Sequence, residues 1–330
     1  MAMTEAVDIP AEELKNAAAL ALTNQGVIVE SCRVRMLRPS RFRPVLQYYL
    51  TCFDKEKNAR VRRVVIGKGY YRGDGAKAFD TLRQLWSDGF REDPFLTVPE
   101  PLAYLPELRL LLQGRAPGKS LHSYLDSPGE AARSVRVAAR WLAKLHGASV
   151  GADSVLRPEY EEEKLLTYSN VLAQVCPQFA PRIGRLTERI VPPLMKLTPS
   201  QAVPTHGDFQ PKNIYICRNR VTVIDFDRFA LAHPARDVGH FIGQSMTMSY
   251  VRTGSFNEIE PWNAAFLDEY ARLAPAGPLR ELSLFVIRTF LEVLYYKLFV
   301  RPVKDPSFVP AWLDACERWL DGGLLAEGNG

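Results

Sequence analysis

The amino-acid sequence predicts an α+β fold with two lobes, an antiparallel-sheet N-lobe followed by a mainly helical C-lobe. Near the N-terminus, three runs rich in aromatic and β-branched residues are separated by polar turns that are too short to hold a helix. These runs cover residues 31–37, 45–53 and 60–68. Strands joined by such turns pair antiparallel, because parallel neighbours need a long crossover. Beyond residue 118, the apolar residues recur at helical spacing instead.

The boundary between the lobes is predicted at residues 113–118, where glycine and proline interrupt the periodic pattern. Residues 1–112 then form the N-lobe and residues 119–330 the C-lobe. The remaining N-lobe elements are predicted helices at 9–22 and 75–86 and strands at 99–102 and 108–112. The C-lobe elements are predicted helices at 129–146, 158–175, 181–197, 235–250, 261–273, 278–299 and 306–320, with a hairpin at 213–216 and 221–226.

Charge is distributed unevenly along the chain. The formal net charge is +5, which is too small to indicate nucleic-acid binding by itself. Residues 30–91 contain 15 basic against 6 acidic side chains, whereas residues 251–330 contain 8 against 11. A basic first third suits a polyphosphate ligand, and a solvated basic face explains it equally well. Because no aromatic and basic RNA motif accompanies it, no specific nucleic-acid partner is expected.

Cysteine usage and hydropathy bear on the compartment. The five cysteines are scattered and include no C-x-x-C pair, a pattern typical of reduced thiols in the cytosol. The acidic N-terminus does not resemble a signal peptide. The most apolar long run, 282–300, is interrupted by Arg288, Glu292 and Lys297. The sequence therefore predicts a cytoplasmic protein with no membrane partner, and either a monomer or a homodimer is expected.

One stretch, residues 203–227, places polar side chains at a spacing that phosphoryl-transfer sites use. It contains His206, Asp208 and Asn213 in the order His-x-Asp-x-x-x-x-Asn, followed by Asp225 at the end of an apolar strand. Such transfer needs one carboxylate beside the incoming hydroxyl, and an amide oxygen and a second carboxylate that hold Mg²⁺ against a triphosphate. Taken singly, Asp208 is also explained by a helix cap and Asn213 by an Asx turn.

Three segments, HGDFQPKNIYI, VIDFD and HPARDVGHF, resemble the aminoglycoside phosphotransferase and choline kinase family of small-molecule kinases. Two flanking segments agree, because LLLQGRAPGKSL is similar to the interlobe linker of that family and AARWLAKLHG to its helix before the catalytic half. The resemblance covers about residues 45–241. It implies a protein-kinase-like fold and an enzyme that transfers the γ-phosphate of ATP, with Mg²⁺, directly to an alcohol group of a small molecule.

The resemblance assigns roles within the motif. Asp208 is expected to be the catalytic base that orients the acceptor hydroxyl and takes its proton. His206 is expected to hold the loop by hydrogen bonds. Asn213 and Asp225 are expected to be the Mg²⁺ ligands. Asp237, within HPARDVGHF, is expected to be buried and to support the catalytic loop.

For the nucleotide, the resemblance implies that Lys68 clamps the α- and β-phosphates of ATP. Leu112 and Gln113 are expected to lie against the adenine ring on an edge strand. The turn at 37–44 contains no glycine, which protein kinases use there to approach phosphate. Ser40 and its neighbouring arginines are therefore the candidates for phosphate contacts from this turn.

A second departure from the protein-kinase pattern concerns the partner of the strand lysine. The predicted helix 75–86 contains no glutamate to pair with Lys68, and Asp80 is the carboxylate well inside it. An Asp80–Lys68 pair is therefore left open. Asp227 is left as either a supporting residue of the metal site or a solvated side chain.

The acceptor and the alternative function also stay open. Acidic residues gather in the second half of the C-lobe, at Glu258, Glu260, Asp268, Glu269 and Glu292. An acidic pocket favours an aminoglycoside or an amino alcohol over a neutral sugar, and a solvated acidic face explains the residues too. Because of the two departures, the alternative is a catalytically weak, kinase-like nucleotide-binding or scaffold protein. The intact set Asp208, Asn213 and Asp225 favours an enzyme.

Overall fold

A computed structural model gives the structure of the chain and describes residues 11–23, 27–40, 43–152, 154–198, 202–274 and 281–322. The chain divides into two compact units. The sheet unit extends to Pro117 and also contains Thr222–Asp227. The helical unit contains Gly118–Val221 and the chain from Arg228 onward.

The sheet unit is built on a five-stranded antiparallel sheet in the order β1-β2-β3-β6-β5. Its elements in chain order are α1 (Ala11–Thr23), β1 (Val27–Arg38), β2 (Val45–Asp54), β3 (Ala59–Gly69), α2 (Gly75–Leu85), β4 (Leu96–Thr97), β5 (Pro101–Leu105) and β6 (Leu110–Gly114). Alternate residues of β2 point into the core, because side chains on a strand alternate between the two faces. The α2 helix begins at Asp74, whose carboxylate accepts a hydrogen bond from the Lys77 N–H.

The helical unit is built from long helices with four short strands between them. In chain order its elements are β7 (Lys119–Ser120), α3 (Pro128–His146), α4 (Pro158–Val175), α5 (Ala180–Leu194), β8 (Val203–Thr205), β9 (Ile214–Cys217), β10 (Arg220–Val223, which ends in the sheet unit), β11 (Ala230–Ala232), α6 (Ala235–Thr253), α7 (Glu260–Leu273), α8 (Leu282–Tyr295) and α9 (Val309–Leu320). Within the unit, β7 pairs with β9 and β8 pairs with β11, both antiparallel.

The predicted α+β architecture, with an antiparallel sheet first and helices after it, is confirmed. The first strand is longer than predicted, because it keeps pairing with β2 from Val27 onward. The last strand of the sheet extends into the predicted break, since Gln113 and Gly114 pair with β3. Helix α8 begins at Leu282, and the earlier part of the predicted helix at 278–299 falls partly on residues 275–280, outside the described residues. No helix of the described part of the chain has the length and apolar character required to cross a membrane.

Candidate active site

The residues predicted for the site fall in both units and are described unit by unit. In the helical unit, His206, Asp208 and Asn213 lie on the loop between β8 and β9. Gly207 has a φ of +79°, and a Cβ at this position would lie 2.1 Å from the carbonyl oxygen of Arg228. Only glycine fits such a close backbone approach, so the loop is locked against the segment that precedes β11.

Asp237, near the start of α6, anchors this loop. Its carboxylate is fully buried and accepts hydrogen bonds from the N–H groups of His206 (2.6 Å) and Gly207 (2.8 Å). The Nε2 atom of His146 lies 3.3 Å from the same carboxylate. Burial alone would raise the pKa of Asp237, but the hydrogen bond from His146 and the charges of His146, His206 and Arg236 lower it. The supporting role predicted for Asp237 is confirmed by these contacts.

His206 is a fully buried member of the loop. Its Nδ1 accepts a hydrogen bond from the Asp208 N–H at 3.2 Å. The ring packs edge-on against Trp141 and Phe209, with centroid separations of 6.3 and 6.0 Å. Packing and hydrogen bonding thus fix the backbone on which Asp208 is carried.

The Asp208 carboxylate is the centre of a hydrogen-bond cluster. One oxygen, Oδ1, accepts from Gln210 Nε2 (2.8 Å) and lies 3.0 Å from His240 Nε2, and Oδ2 accepts from Asn213 Nδ2 (3.0 Å). Its side chain is 22% exposed. Burial alone would raise the pKa of Asp208, but the hydrogen bond from His240 and the charges of His240, Arg228 and His206 lower it. Asp208 is therefore an oriented carboxylate that stays ionised.

Asn213 is oriented by the same cluster. Its amide nitrogen donates to the backbone carbonyl and to the carboxylate of Asp208, both at 3.0 Å. With its N–H groups directed to Asp208, Asn213 offers its amide oxygen to a ligand. An oxygen of this kind is a donor that Mg²⁺ accepts.

In the sheet unit, Lys68 lies near the end of β3 and is paired with two carboxylates. Its Nζ lies 2.6 Å from Asp225 Oδ1 and 2.7 Å from Asp227 Oδ1. Asp227 also accepts hydrogen bonds from the Tyr70 hydroxyl and from Nη1 of Arg43. Burial and the charge of Asp227 raise the pKa of Tyr70, so its hydroxyl remains a donor. We refer to these five residues as the Lys68 cluster.

The backbone of Asp225 is strained. Its φ is +77°, a left-handed conformation that residues other than glycine rarely adopt. Strain of this kind persists where the surrounding structure enforces it, and it concentrates at functional sites. The carboxylate at this position is therefore placed by a backbone turn that glycine would form at lower cost.

The structure answers the open question of an Asp80–Lys68 pair and corrects one expectation about the nucleotide side. The Asp80–Lys68 pair does not form, because Asp80 is 62% exposed on α2 and lies 3.7 Å from Arg83 instead. Leu112 and Gln113 are not on an edge strand, because β6 lies between β3 and β5 and both residues pair on each side. The Leu112 side chain is fully buried in the core of the sheet.

The turn before β2 is described at Ser40 and from Arg43 onward. Ser40 is exposed, and its hydroxyl accepts a hydrogen bond from the Arg43 N–H at 3.1 Å. Within the described part of this turn, the Arg43 side chain contacts Asp227, whereas Arg41 lies outside the described residues.

The acidic cluster considered for a polycationic acceptor is largely neutralised. Asp268 pairs with Arg136 (2.9 Å) and Arg272 (2.7 Å). The buried Glu269 pairs with the same arginines and with Arg140. On α8, Glu292 pairs with Arg288 (2.6 Å) and Arg228 (3.0 Å). Glu258 and Glu260 are exposed.

Sequence reasoning missed several residues of these clusters. His240 has no spacing that fits a metal site, yet it lies one helical turn after Asp237 on α6, so both face the same loop. Arg43 and Tyr70 carried no signal, because they meet Asp227 across more than 150 positions of the chain. The helical spacing from Asp237 to His240 is the one signal that was available in the sequence.

Comparisons with known proteins identify the family and the fold of the chain. Residues 54–276 match the phosphotransferase enzyme family. A search of curated proteins returned no match. The family match confirms the resemblance drawn from the three sequence motifs and the prediction of a phosphotransferase.

Several solved structures share the fold. A choline kinase from Cryptosporidium parvum Iowa II is 12% identical, with 96% of this chain and 98% of that chain covered and a TM-score of 0.62. The spectinomycin phosphotransferase APH(9)-Ia, solved with ADP and spectinomycin, is 15% identical, with coverages of 97% and 99% and a TM-score of 0.60. The amicoumacin kinase hAmiN, solved with AMP-PNP, Ca²⁺ and Ami, is 15% identical, with coverages of 95% and 94% and a TM-score of 0.60. These likenesses confirm the predicted protein-kinase-like fold.

Proposed function

We propose that this chain, which belongs to the phosphotransferase enzyme family, transfers the γ-phosphate of ATP to a hydroxyl of a small molecule in a Mg²⁺-dependent reaction. The observation that carries the proposal is the ionised carboxylate of Asp208, held by Gln210, His240 and Asn213 on a loop that Asp237 locks in place. The nucleotides bound to the spectinomycin phosphotransferase and to the amicoumacin kinase support ATP as the donor.

Asp208 acts as the base in this proposal. The acceptor hydroxyl donates a hydrogen bond to the carboxylate, which aims the oxygen at the γ-phosphorus. As the new oxygen–phosphorus bond forms, the bond to the bridging oxygen of ADP breaks and the hydroxyl proton moves to Asp208. The lowered pKa keeps the Asp208 carboxylate ionised, so that it can accept a hydrogen bond from the acceptor hydroxyl.

Asn213 and Asp225 are the proposed Mg²⁺ ligands. Their donor set fits the ion, because Mg²⁺ binds hard oxygen atoms through one or two protein side chains and fills its other positions with phosphate and water. The amide of Asn213 is turned so that its oxygen is available, and Asp225 holds its carboxylate in a strained turn. When bound, the ion would neutralise charge on the phosphates.

On the nucleotide side, we assign the phosphate clamp to Lys68 and the supporting carboxylate to Asp227. Protein kinases take that carboxylate from a helix, whereas Asp80 on α2 is exposed and lies beside Arg83 instead. Asp227 meets the requirement because it binds the Lys68 ammonium at 2.7 Å and is itself held by Tyr70 and Arg43. The lysine is thus kept extended without a helix glutamate.

For the acceptor, we propose a hydroxyl compound of low positive charge, such as a sugar or an amino alcohol. Three of the five carboxylates considered for a polycationic aminoglycoside, Asp268, Glu269 and Glu292, are paired with arginines. Near the base, the half-exposed Arg228 adds positive charge that lowers the pKa of Asp208. A strongly cationic acceptor would meet that charge unfavourably.

The test is ADP release from Mg²⁺-ATP across panels of monosaccharides, amino alcohols and aminoglycosides, with wild type and Asp208→Asn compared. We expect acceptor-dependent turnover that falls at least about a hundredfold in Asp208→Asn. Asp80→Asn, an exposed carboxylate on α2, is the matched control and should behave as wild type. Unchanged turnover in Asp208→Asn would contradict the base assignment. A Mg²⁺-ATP thermal shift without turnover for any acceptor would favour a nucleotide-binding protein.

A further inference from the structure

One histidine, His240, reaches the Asp208 carboxylate from outside the loop. His240 lies on α6 between Gly239 and Gly243, which are the points where α6 packs against α8. A Cβ on Gly239 would lie 2.5 Å from the Cβ of Phe285, and a Cβ on Gly243 would lie 2.8 Å from the Cβ of Thr289. Because both glycines lack a side chain, the two helices approach closely and hold His240 in a fixed place between them.

The imidazole of His240 lies between two carboxylates. It is 3% exposed, with Nε2 at 3.0 Å from Asp208 Oδ1 and Nδ1 at 3.8 Å from Glu292 Oε2. Glu292 is fixed in turn by Arg288 and Arg228. Burial alone would raise the pKa of Glu292, but the charges of Arg288, His240 and Arg228 hold it well below its usual range. The ring therefore has an ionised, immobile carboxylate behind it.

The donors to Asp208 differ in what they are attached to. Gln210 and Asn213 belong to the same loop as Asp208, so they move with it. His240 belongs to α6, and α6 is packed on α8. Among the described residues that hydrogen-bond the Asp208 carboxylate, His240 is the one that ties it to the helical scaffold.

We propose that His240 is a positioning residue for the transfer reaction, which fixes Asp208 against α6 by the hydrogen bond between its Nε2–H and Oδ1. On the other side of the ring, Thr289 Oγ1 lies 3.5 Å and Glu292 Oε2 lies 3.8 Å from Nδ1, and both oppose rotation of the imidazole. This inference rests on the proposed role of Asp208 as the base. It adds a structural requirement, since the base must be held from the α6–α8 contact as well as from its own loop.

The test compares His240→Leu, which removes the N–H at similar volume, with His240→Gln, which keeps an N–H donor at similar reach. The probe is Mg²⁺-ATP with water as acceptor, and with the best acceptor of the panel above. We expect kcat to fall about tenfold to a hundredfold in His240→Leu, with KM for ATP within about twofold of wild type. His240→Gln should recover most of kcat, because the donor is restored.

Several outcomes would overturn the positioning role. Equal losses in His240→Leu and His240→Gln would show that the ring acts by packing alone. A rise in KM matching the fall in kcat would place the effect on nucleotide binding. Wild-type kcat in His240→Leu, with Asp208→Asn inactive, would remove this inference and leave the base assignment standing. An active Asp208→Asn would instead remove the base assignment.

Crystal structures of the two variants give a readout that does not depend on turnover. We expect the Asp208 side chain to keep its rotamer in His240→Gln and to rotate or occupy two conformers in His240→Leu. An unchanged, single Asp208 rotamer in His240→Leu would contradict the proposal. The double variant Asp208→Asn/His240→Leu should be no slower than Asp208→Asn alone, because both changes act through one carboxylate.

Discussion

The loop between β8 and β9, which carries Asp208 in the helical unit, and the Lys68 cluster of the sheet unit are assembled in different ways. The loop is held by local contacts and by one helix, so its residues come from a short stretch, 206–240. The Lys68 cluster joins Arg43, Lys68 and Tyr70 to Asp225 and Asp227, which follow more than 150 positions later. A base must be aimed within fractions of an ångström, whereas a carboxylate that neutralises a flexible ammonium has only to reach it. The loop therefore has a recognisable sequence motif, whereas the carboxylates that pair with Lys68 can come from different positions of the chain.

The strongest way to break this comparison is to remove the anchor of the loop. Asp237→Ala leaves the N–H groups of His206 and Gly207 without their acceptor inside the protein. We expect the free energy of unfolding to fall by about 3 kcal/mol or more, with loss of turnover, as measured by urea denaturation. The exposed Glu258→Ala serves as control and should change stability by less than about 0.5 kcal/mol. A loss below about 1 kcal/mol would show that the loop is held in another way.

Substitution in the Lys68 cluster should affect stability less than loss of Asp237 does. In Asp227→Asn the side chain still accepts hydrogen bonds but no longer carries the charge that holds Lys68. We expect the dissociation constant of Mg²⁺-ATP to rise about tenfold with little loss of stability, as measured by calorimetry. Asp80→Asn on α2 should leave this constant unchanged. A larger rise of the dissociation constant in Asp80→Asn than in Asp227→Asn would show that Asp80 on α2 supports Lys68 instead.

The two units should differ in their stability to acid. Burial alone would raise the pKa of Glu161, but the charges of Arg288 and Arg236 and their hydrogen bonds lower it, and the pKa values of Asp237 and Glu292 are lowered as well. Such groups stabilise the fold above their unfolded pKa of about 4, and this contribution is lost as the pH falls through the folded values. Below about pH 4 we expect peptides of the helical unit to lose hydrogen-exchange protection first. Earlier loss in the sheet unit would contradict this order.

The smallest effect is expected at Ser40. The side chain is exposed, and its hydroxyl accepts a hydrogen bond from the Arg43 N–H. Ser40→Ala should change KM for ATP by less than about twofold, whereas Arg43→Ala should raise it more, because it removes a partner of Asp227. An effect of Ser40→Ala larger than that of Arg43→Ala would assign the phosphate contact to the hydroxyl.

The sequence predicted the parts of the molecule that short-range patterns encode. His206, Asp208 and Asn213 lie within one short loop, so their spacing can be read directly from the sequence. The burial of Asp237 was predicted from the motif in which it lies. Strand order was harder, because a run such as 108–112 does not show whether one neighbour or two will pair with it.

Long-range substitutions were not predictable for a related reason. Periodicity cannot reveal that Asp227, and no carboxylate of α2, pairs with Lys68, since the pairing depends on where the fold places these residues. The spacing of His240 from Asp237 indicates a shared helix face but does not reveal a contact with Asp208. Its contact with Asp208 exists because two glycines bring α6 against α8.

The left-handed turn at Asp225 sets thermal stability against retention of the carboxylate. Glycine would adopt its φ of +77° without strain, so Asp225→Gly relieves a cost of about 1 kcal/mol while it deletes the carboxylate. A laboratory selection that rewards only a higher melting temperature would therefore favour glycine at this position and remove a proposed Mg²⁺ ligand.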